Sequence, residues 1–416
     1  MRIYAFTQYY PSTFKPYFDT QFAQFLRDGH DVTVLAHGAQ AHVADEAVSR
    51  LGLPERTRYY PTTLRTLPRF LPGVLGALLA DPGAAARRMG ATEPAKGRKS
   101  RFMDAVRMLG LPRERPDLCL VHDLTTAGMF TMLRRVYPGV PVAMYYHGGE
   151  NAGSKGIPDA VVRSAFRGVD VVFTNTGFSR DHAVARGCPA DRVEIVPVGF
   201  RLDDYRPAAP REYRPGGVLR MLSASRLSEE KGHRFALQAL AGLVASGVTD
   251  FRYTIVGGGY LREPLERFVE ENGLRPYVEF AGILTTAALL DRIAATDLVL
   301  LPSIELGTWV ENQACIVQEA MLMKALVVAT TAGGVPESTA PELRPFLVPP
   351  EDPDALARSI LAVRALSGQE MRVLGEAGRA FAEERYDIRR LNAELLRRTL
   401  SRHRPPVAAP ELAGAA

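Results

Sequence analysis

The fold is decided by residues 1–36, MRIYAFTQYYPSTFKPYFDTQFAQFLRDGHDVTVLA. Met1–Phe6 is a short apolar run with the character of a β-strand. After a polar loop, large apolar side chains recur at the spacing of one helix face, at Phe18, Phe22, Phe25 and Leu26. Gly29 is a typical helix-ending residue, and Val32–Ala36 is a second strand-like run. A strand, a helix and a strand in so short a segment form a βαβ unit, which predicts a parallel sheet.

The same alternation continues along the chain and restarts once. Further strands are predicted at Leu118–Val121, Val142–Tyr146, Val169–Thr174, Glu194–Val196, Leu219–Ser223, Phe251–Val256, Val278–Phe280, Leu298–Leu301 and Val327–Thr330, and late helices at Asp354–Leu366, Met371–Arg385 and Asp387–Leu400. A polar, proline-containing stretch separates the two series and is typical of a linker. We therefore expect α/β domains at 1–200 and 218–385, a linker at 201–217, a helix at 386–403 that packs back towards the first domain, and a disordered tail at 404–416.

The composition is that of an ordinary soluble protein. Of 416 residues, 46% are hydrophobic and 23% are charged, which excludes a mainly disordered or fibrous chain. The net charge of +5 is compatible with an anionic ligand and does not call for nucleic acid. Three separated cysteines, Cys119, Cys188 and Cys315, predict buried free thiols rather than a disulfide framework. With no secretory leader and no apolar run long enough to cross a membrane, we expect a cytoplasmic protein.

Two glutamates stand out in residues 301–337. A strand ends near Ser303, and a helix is predicted to begin near Glu311 or Asn312. Glu311 and Glu319 would then lie roughly 12 Å apart along one helix axis. That is about the distance from a transferred sugar to the ribose of its nucleotide, and a carboxylate can accept hydrogen bonds from neighbouring hydroxyls. The first-turn amides of such a helix could receive a phosphate. Two solvated helix glutamates would show the same spacing.

Two loops at strand ends have the residues of a phosphate site. Arg226 and Lys231 follow the strand at Leu219–Ser223, and a guanidinium and an ammonium on one loop suit a diphosphate. Gly257-Gly258-Gly259 follows the next strand, where glycines let the backbone approach a ligand. This run matches only part of a dinucleotide fingerprint, because Arg262 stands where the third glycine belongs.

In this order and spacing, the segments resemble the C-terminal half of a retaining glycosyltransferase of the GT-B fold, family 4. The matching motifs are Arg226-Leu-x-x-x-Lys231-Gly, Gly257-Gly-Gly, Phe280-Ala-Gly282, Pro302-Ser303, Glu311-x7-Glu319 and Gly333-Gly334-Val-Pro-Glu337. The N-terminal half agrees at Gly29-His30-Asp31, Pro116-Asp117, Tyr146-His147-Gly148 and Val196-Pro-Val-Gly-Phe200. The likeness extends to about residue 400 and is greatest to branches that build bacterial exopolysaccharides. It implies two Rossmann-like, doubly wound domains that face each other across a cleft.

The resemblance also implies roles for individual residues. Arg226 and Lys231 would hold the donor diphosphate and stabilise the leaving group, Glu319 the ribose, and Glu311 the donor sugar. The rest of the donor site would comprise Ser12, Thr13, Phe14, Gly257, Gly282, Ile283, Leu284, Asn312, Gln313 and Ala314, with His147 facing the sugar. Transfer would be retaining and would need no metal or cofactor besides the nucleotide-diphosphate sugar. The acceptor would be a glycan or a polyprenyl-linked sugar of cell-surface polysaccharide synthesis.

Several features leave alternatives open. Pro11-Ser12-Thr13-Phe14 replaces the Gly-Gly loop common in the family, and Asn312-Gln313-Ala314 replaces Gly-Phe-Gly, so the donor sugar is not defined. Asp352-x-Asp354 has metal-like spacing, but Asp354 is predicted to cap a helix. An apolar stretch at Leu67–Ala80 precedes a basic run at 87–107, which predicts either peripheral contact with the inner face of the membrane or a solvated loop. Other functions that fit are a sugar-nucleotide epimerase of the same fold, a dinucleotide-dependent oxidoreductase and a two-domain sugar-binding protein.

Overall fold

The computed structural model describes residues 1–12, 17–40, 50–60, 67–90, 98–122, 130–147, 159–206, 213, 216–307 and 309–403. Thr13 and Phe14 of the predicted donor site, residues 207–212 and 214–215 of the linker and the tail at 404–416 lie outside the described residues. Within them, no helix is both long enough and apolar enough to span a membrane.

The N-terminal domain is built on a parallel sheet of seven described strands. Their spatial order is β3-β2-β1-β4-β5-β6-β7, and their bounds are β1 Arg2–Tyr9, β2 Asp31–Gly38, β3 Thr57–Tyr59, β4 Leu118–Val121, β5 Val142–Tyr146, β6 Val171–Thr174 and β7 Val193–Ile195. Every residue of β4, β5 and β6 is buried, as expected for a parallel sheet covered on both faces.

The C-terminal domain repeats this architecture with six described strands. The order is β10-β9-β8-β11-β12-β13, with β8 Leu219–Ala224, β9 Phe251–Val256, β10 Val278–Gly282, β11 Leu298–Leu301, β12 Leu326–Thr330 and β13 Leu347–Val348. In both sheets the order reverses next to the first strand, so the predicted pair of doubly wound α/β domains is confirmed. The short edge strands β3 and β13 were not predicted, since the first, Thr-Arg-Tyr, is mainly polar and the second has only two residues.

Helices cover both sheets. In the first domain they are Tyr17–Arg27, Leu71–Ala80, Pro82–Gly90, Arg98–Gly110, Phe130–Val136, Asp159–Arg167 and Gly177–Ala185. In the second they are His233–Ala245, Arg262–Glu271, Thr286–Ala294, Cys315–Leu322, Val335–Ser338, Pro353–Arg364 and Gly368–Tyr386, and Ile388–Arg402 follows. Short 3-10 turns lie at Leu67–Phe70, Ala190–Arg192, Leu202–Asp204, Glu229–Lys231 and Pro341–Phe346.

Two sequence-based helix starts are wrong. The helix predicted to begin near Glu311 or Asn312 begins at Cys315, because the preceding side chains bind elsewhere in the molecule. Asp354 does not cap its helix. The N-cap is Asp352, whose carboxylate accepts a hydrogen bond from the backbone N–H of Ala355 at 2.8 Å.

The last helix, Ile388–Arg402, packs on the first domain. Leu391, Leu395 and Leu396 belong to the same apolar core as the helix Tyr17–Arg27. The side chain of Asn392 donates to the carbonyl oxygen of Gln21 at 3.2 Å. Because this helix follows the second domain in sequence and packs on the first, it ties the two domains together.

Candidate active site

Loops that follow strands of the C-terminal sheet form one wall of the cleft. Lys231 lies in the loop after β8, and Glu311 lies in the loop after β11. The carboxyl ends of parallel strands meet at one edge of a sheet, which is where open α/β folds bind ligands. The two residues, 80 positions apart in sequence, are in direct contact.

Lys231 and Glu311 form an enclosed ion pair. The Lys231 Nζ lies 2.7 Å from the Glu311 Oε2, and the two side chains are only 13% and 8% exposed. Ser303 donates its hydroxyl to the same carboxylate oxygen at 2.8 Å. The ammonium also lies 4.7 Å from the centre of the Trp309 ring, a cation–π contact. This loop edge thus holds a cation and a carboxylate in direct contact beside an aromatic ring.

Arg226 is held differently. Its guanidinium lies 2.9 Å from a carboxylate oxygen of buried Glu230 and is 40% exposed. Ser228 donates its hydroxyl to the same Glu230 oxygen at 2.6 Å. Beneath the loop, the Nε2 of His233 lies 3.2 Å from the carbonyl oxygen of Arg226. Burial lowers the pKa of His233 to about 4, so the ring is neutral near pH 7.

The glycine run after β9 has a structural reason. Gly257 has a φ of 138°, and a Cβ added there would lie 1.9 Å from the carbonyl oxygen of Ser225. The glycine therefore allows the approach of the neighbouring Arg226 loop, whereas the sequence predicted the approach of a ligand. After β10, Ile283 is half exposed and Leu284 packs partly against the core.

Glu319 is buried on the helix Cys315–Leu322. Tyr205 donates its hydroxyl to the Glu319 Oε1 at 3.3 Å. Burial raises the pKa of Glu319 to about 7. The residue lines a cavity of about 70 Å³ between the domains, which also contacts Tyr17 and Thr286. Because Glu311 lies before this helix, the predicted placement of both glutamates on one helix is wrong.

The residues next to Glu311 contact the other domain. The Asn312 Nδ2 donates to the carbonyl oxygen of His147 at 2.6 Å, and Thr176 donates its hydroxyl to the Asn312 Oδ1 at 3.0 Å. The Gln313 amide forms a matched pair with Val198, accepting from its N–H at 2.8 Å and donating to its carbonyl at 3.0 Å. The sequence predicted donor contacts for both residues, and their side chains instead hold the domains together. Ala314 is the N-cap of the next helix.

His147 follows β5 with its ring among aromatic groups. The ring stacks at 5.3 Å on Tyr145 and at 5.9 Å on His122, and it lies 5.3 Å from Tyr17. Its backbone carbonyl is the part that meets the C-terminal domain, through Asn312. On the same side of the cleft, Ser12 is buried and donates to the Gln40 Oε1 at 2.9 Å.

Glu337 has a role that the sequence did not predict. Its two carboxylate oxygens accept hydrogen bonds from the backbone N–H groups of Gly177 and Phe178, each at 2.7 Å. These amides begin a helix of the N-terminal domain, where a carboxylate is favourable. The only signals were the position of Glu337 at the end of Gly-Gly-Val-Pro-Glu and the start of that helix after Thr176.

No group of three or more His, Cys, Asp or Glu side chains in the described part of the chain is arranged to hold a metal ion.

Two family models match the chain one after the other. A "Glycosyl transferase 4-like domain" matches residues 15–199, and "Glycosyl transferases group 1" matches residues 219–365. The chain thus has a glycosyl transferase 4-like domain followed by a group 1 glycosyltransferase domain. These matches support an enzyme of glycosyl transfer over the oxidoreductase and the sugar-binding protein.

Curated relatives of this glycosyltransferase include proteins of polysaccharide synthesis. WcaL of Escherichia coli K12, assigned to colanic acid biosynthesis as a glycosyltransferase, is 29% identical over 50% of this chain and 51% of its own length. The amylovoran biosynthesis glycosyltransferase AmsK of Erwinia amylovora is 29% identical over 43% of each chain. The chain thus spans about half the length of these relatives.

Solved structures confirm the GT-B fold. The Anabaena protein Alr3699/HepE, crystallised with UDP, superposes with a TM-score of 0.69 at 18% identity, over 96% of this chain and 99% of its own. The sucrose-phosphate synthase of Thermosynechococcus elongatus gives a TM-score of 0.68 at 17% identity, over 96% and 99%.

Proposed function

We propose that this glycosyltransferase moves a sugar from a nucleotide-diphosphate donor to a glycan or polyprenyl-linked acceptor, with retention at the anomeric carbon and without a catalytic metal. The observation that carries the proposal is the enclosed Lys231–Glu311 pair at the cleft, with Arg226 on the same loop as Lys231. The names of WcaL and AmsK support a place in polysaccharide synthesis. HepE, which was crystallised with UDP and with UDP-glucose, supports a nucleotide-sugar donor.

The proposed chemistry is electrostatic. As the bond from the sugar to the diphosphate breaks, negative charge grows on the leaving phosphate, and Lys231 and Arg226 would stabilise it. Glu311 would bind hydroxyls of the donor sugar, and Glu319 those of the ribose. The backbone at Gly282, Ile283 and Leu284 would line the base. The departing phosphate oxygen can take the proton of the acceptor hydroxyl, so no separate general base is needed.

The cross-domain contacts support a role for the carbonyl of His147. The side-chain amide of Asn312, the residue after Glu311, donates to this carbonyl oxygen at 2.6 Å and so holds it in place. A carbonyl dipole held there would favour the positive charge that develops at the anomeric carbon. We place the reaction in the cytoplasm, where nucleotide sugars are the expected co-substrates.

The test has three parts. A thermal-shift panel of UDP-, GDP-, ADP- and dTDP-sugars identifies the donor. Activity is then measured with and without EDTA, and NMR assigns the anomer of the product. Activity that is lost in EDTA and restored by Mg²⁺ or Mn²⁺, or an inverted anomer, would refute the mechanism. Turnover of the donor to another sugar nucleotide in the absence of an acceptor would favour the epimerase.

A further inference from the structure

A helical insertion between β3 and β4 exposes a row of leucines. Its helices Leu71–Ala80, Pro82–Gly90 and Arg98–Gly110 pack around a small core that includes Val74. The first of these helices has no polar or charged side chain, and Leu71, Leu75 and Leu79 are 43%, 55% and 82% exposed. Their spacing of four residues puts all three on one helix face. A solvated surface helix normally presents polar side chains on its outer face.

Exposed apolar side chains are concentrated in this insertion. Of the fourteen large hydrophobic residues that are exposed in the described chain, five lie between residues 67 and 110, where Met89 and Phe102 join the three leucines. Scattered exposed hydrophobics are normal, but a cluster marks an interaction surface.

The net charge of the insertion is more positive than the net charge of the whole chain. Residues 67–113 contain nine Lys or Arg against three Asp or Glu, a surplus of six, whereas the surplus of the whole chain is five. Part of this charge is used internally, since Arg88 donates to the carbonyl oxygens of Leu111 and Pro112. Arg87, one position earlier, is exposed. A segment that combines an apolar helix face with a net positive charge is complementary to an anionic lipid surface.

A cavity of about 540 Å³ lies between the leucine-bearing helix and the edge strand β3. Its lining includes apolar Val74 and Leu109, basic Arg58 and Arg113, and acidic Glu114. The volume is in the range of small-molecule sites, and two guanidinium groups against one carboxylate leave a net positive lining that, with the apolar side chains, suits a phosphate that carries hydrocarbon. Tyr59 lines the cavity and donates its hydroxyl to the carbonyl of Tyr10, two residues before Ser12 of the cleft.

We propose that this surface binds the anionic leaflet of a lipid bilayer. Leu71, Leu75 and Leu79 enter the boundary between headgroups and acyl chains, and a lipid phosphate in the cavity contacts Arg58 and Arg113. The surface is separate from the donor site, so lipid binding and donor binding can be measured independently.

The test is flotation of the full chain with vesicles of phosphatidylglycerol and phosphatidylcholine, and with phosphatidylcholine alone. The wild type binds the anionic vesicles, and high salt weakens this binding. Leu75→Asp/Leu79→Asp lowers binding by about tenfold or more, because two leucines that would enter the bilayer are replaced by negative charges that the anionic leaflet repels. The matched control is Val373→Asp, at a residue of the other domain that is 61% exposed, and it binds as the wild type does.

A second pair of variants tests the cavity. Arg58→Gln/Arg113→Gln loses more binding than Arg206→Gln/Arg397→Gln, which removes the same charge from two exposed positions elsewhere. As a control, the circular dichroism spectrum and the donor affinity are measured for every variant. Both should match the wild type, which shows that the fold and the donor site are intact. No binding of the wild type to anionic vesicles at low salt overturns the proposal, as does a leucine variant that floats like its control. Full competition by glycerophosphate at constant ionic strength would assign the cavity to a soluble phosphate and also overturn it.

Discussion

Replacing Lys231 by Met tests the donor site through the stability of the protein. The substitution removes the cation and leaves the Glu311 carboxylate enclosed, with the hydroxyl of Ser303 as a remaining donor at 2.8 Å. Removing one partner of a buried pair costs about 3–5 kcal/mol, and this range applies because both side chains are less than one seventh exposed. Urea unfolding should show this loss. Lys324→Met is the matched control, because the Lys324–Glu376 pair is more exposed and its loss should cost at most about 1 kcal/mol.

The double variant Lys231→Met/Glu311→Gln separates structure from function. Glutamine keeps an acceptor for Ser303 and carries no charge, so unfolding stability should return to within about 1 kcal/mol of the wild type. Affinity for a nucleoside diphosphate should stay about 10- to 100-fold below the wild type, since a charged contact to a phosphate contributes about 1.5–3 kcal/mol. Calorimetry measures this affinity. A double variant that is stable and binds nucleotide normally would show that Lys231 only neutralises Glu311, and the donor assignment would be wrong.

Three further predictions concern residues around the cleft. The pKa of Glu319 is raised to about 7 from an ordinary 4.5, so its contribution to folding stability is present below about pH 4.5 and is lost as the pH rises through 7. The free energy of unfolding of Glu319→Gln should therefore rise by about 3 kcal/mol relative to that of the wild type between pH 4.5 and 7, as measured by chemical denaturation at a series of pH values. A difference in stability that does not change with pH would contradict a buried, ionisable Glu319. Gln313→Ala should lower the free energy of unfolding by about 2–4 kcal/mol, because two buried backbone groups of Val198 lose their partners, and an unchanged melting temperature would argue against it. His147→Ala keeps the backbone carbonyl but removes the ring whose stacking on Tyr145 helps to position it, so donor affinity should stay within a few-fold and turnover should fall by about 100-fold or more in steady-state kinetics. Near-normal turnover would show that Asn312 alone holds the carbonyl and that the ring only packs.

The sequence predicted the fold well where a structural element leaves a pattern in its own residues. Strands buried on both faces, such as β5 and β12, are continuous apolar runs, and a helix between two such runs implies a parallel sheet. The start of the helix at Cys315 was missed because residues 311–314 are buried without being helical. Their side chains are buried by residues far away in the sequence, and a local pattern of residue types does not show which residues those are.

The candidate site was predicted as a set of residues and not as an arrangement. Lys231 and Glu311 were each expected to meet the donor, but their contact with each other spans 80 residues and leaves no mark on local sequence. Asn312 and Gln313 have side chains that suit hydroxyl groups equally well, and only the fold shows that they bind the backbone of the other domain.

Two short segments each connect the donor site to the N-terminal domain. In the first, Glu311 binds Lys231, while the next two side chains bind the other domain. In the second, the backbone N–H of Gly334 donates to the carbonyl oxygen of Glu311 at 2.9 Å, and three residues later Glu337 caps a helix across the cleft. Neighbouring Cα atoms stay about 3.8 Å apart across a trans peptide, so a large displacement of Asn312 carries Glu311 with it. A shift of one domain against the other that keeps these contacts therefore displaces Glu311, and a donor that holds Glu311 resists that shift. Donor affinity and domain closure are thus expected to be coupled, and weakening the cross-domain contacts should weaken donor binding without touching the donor.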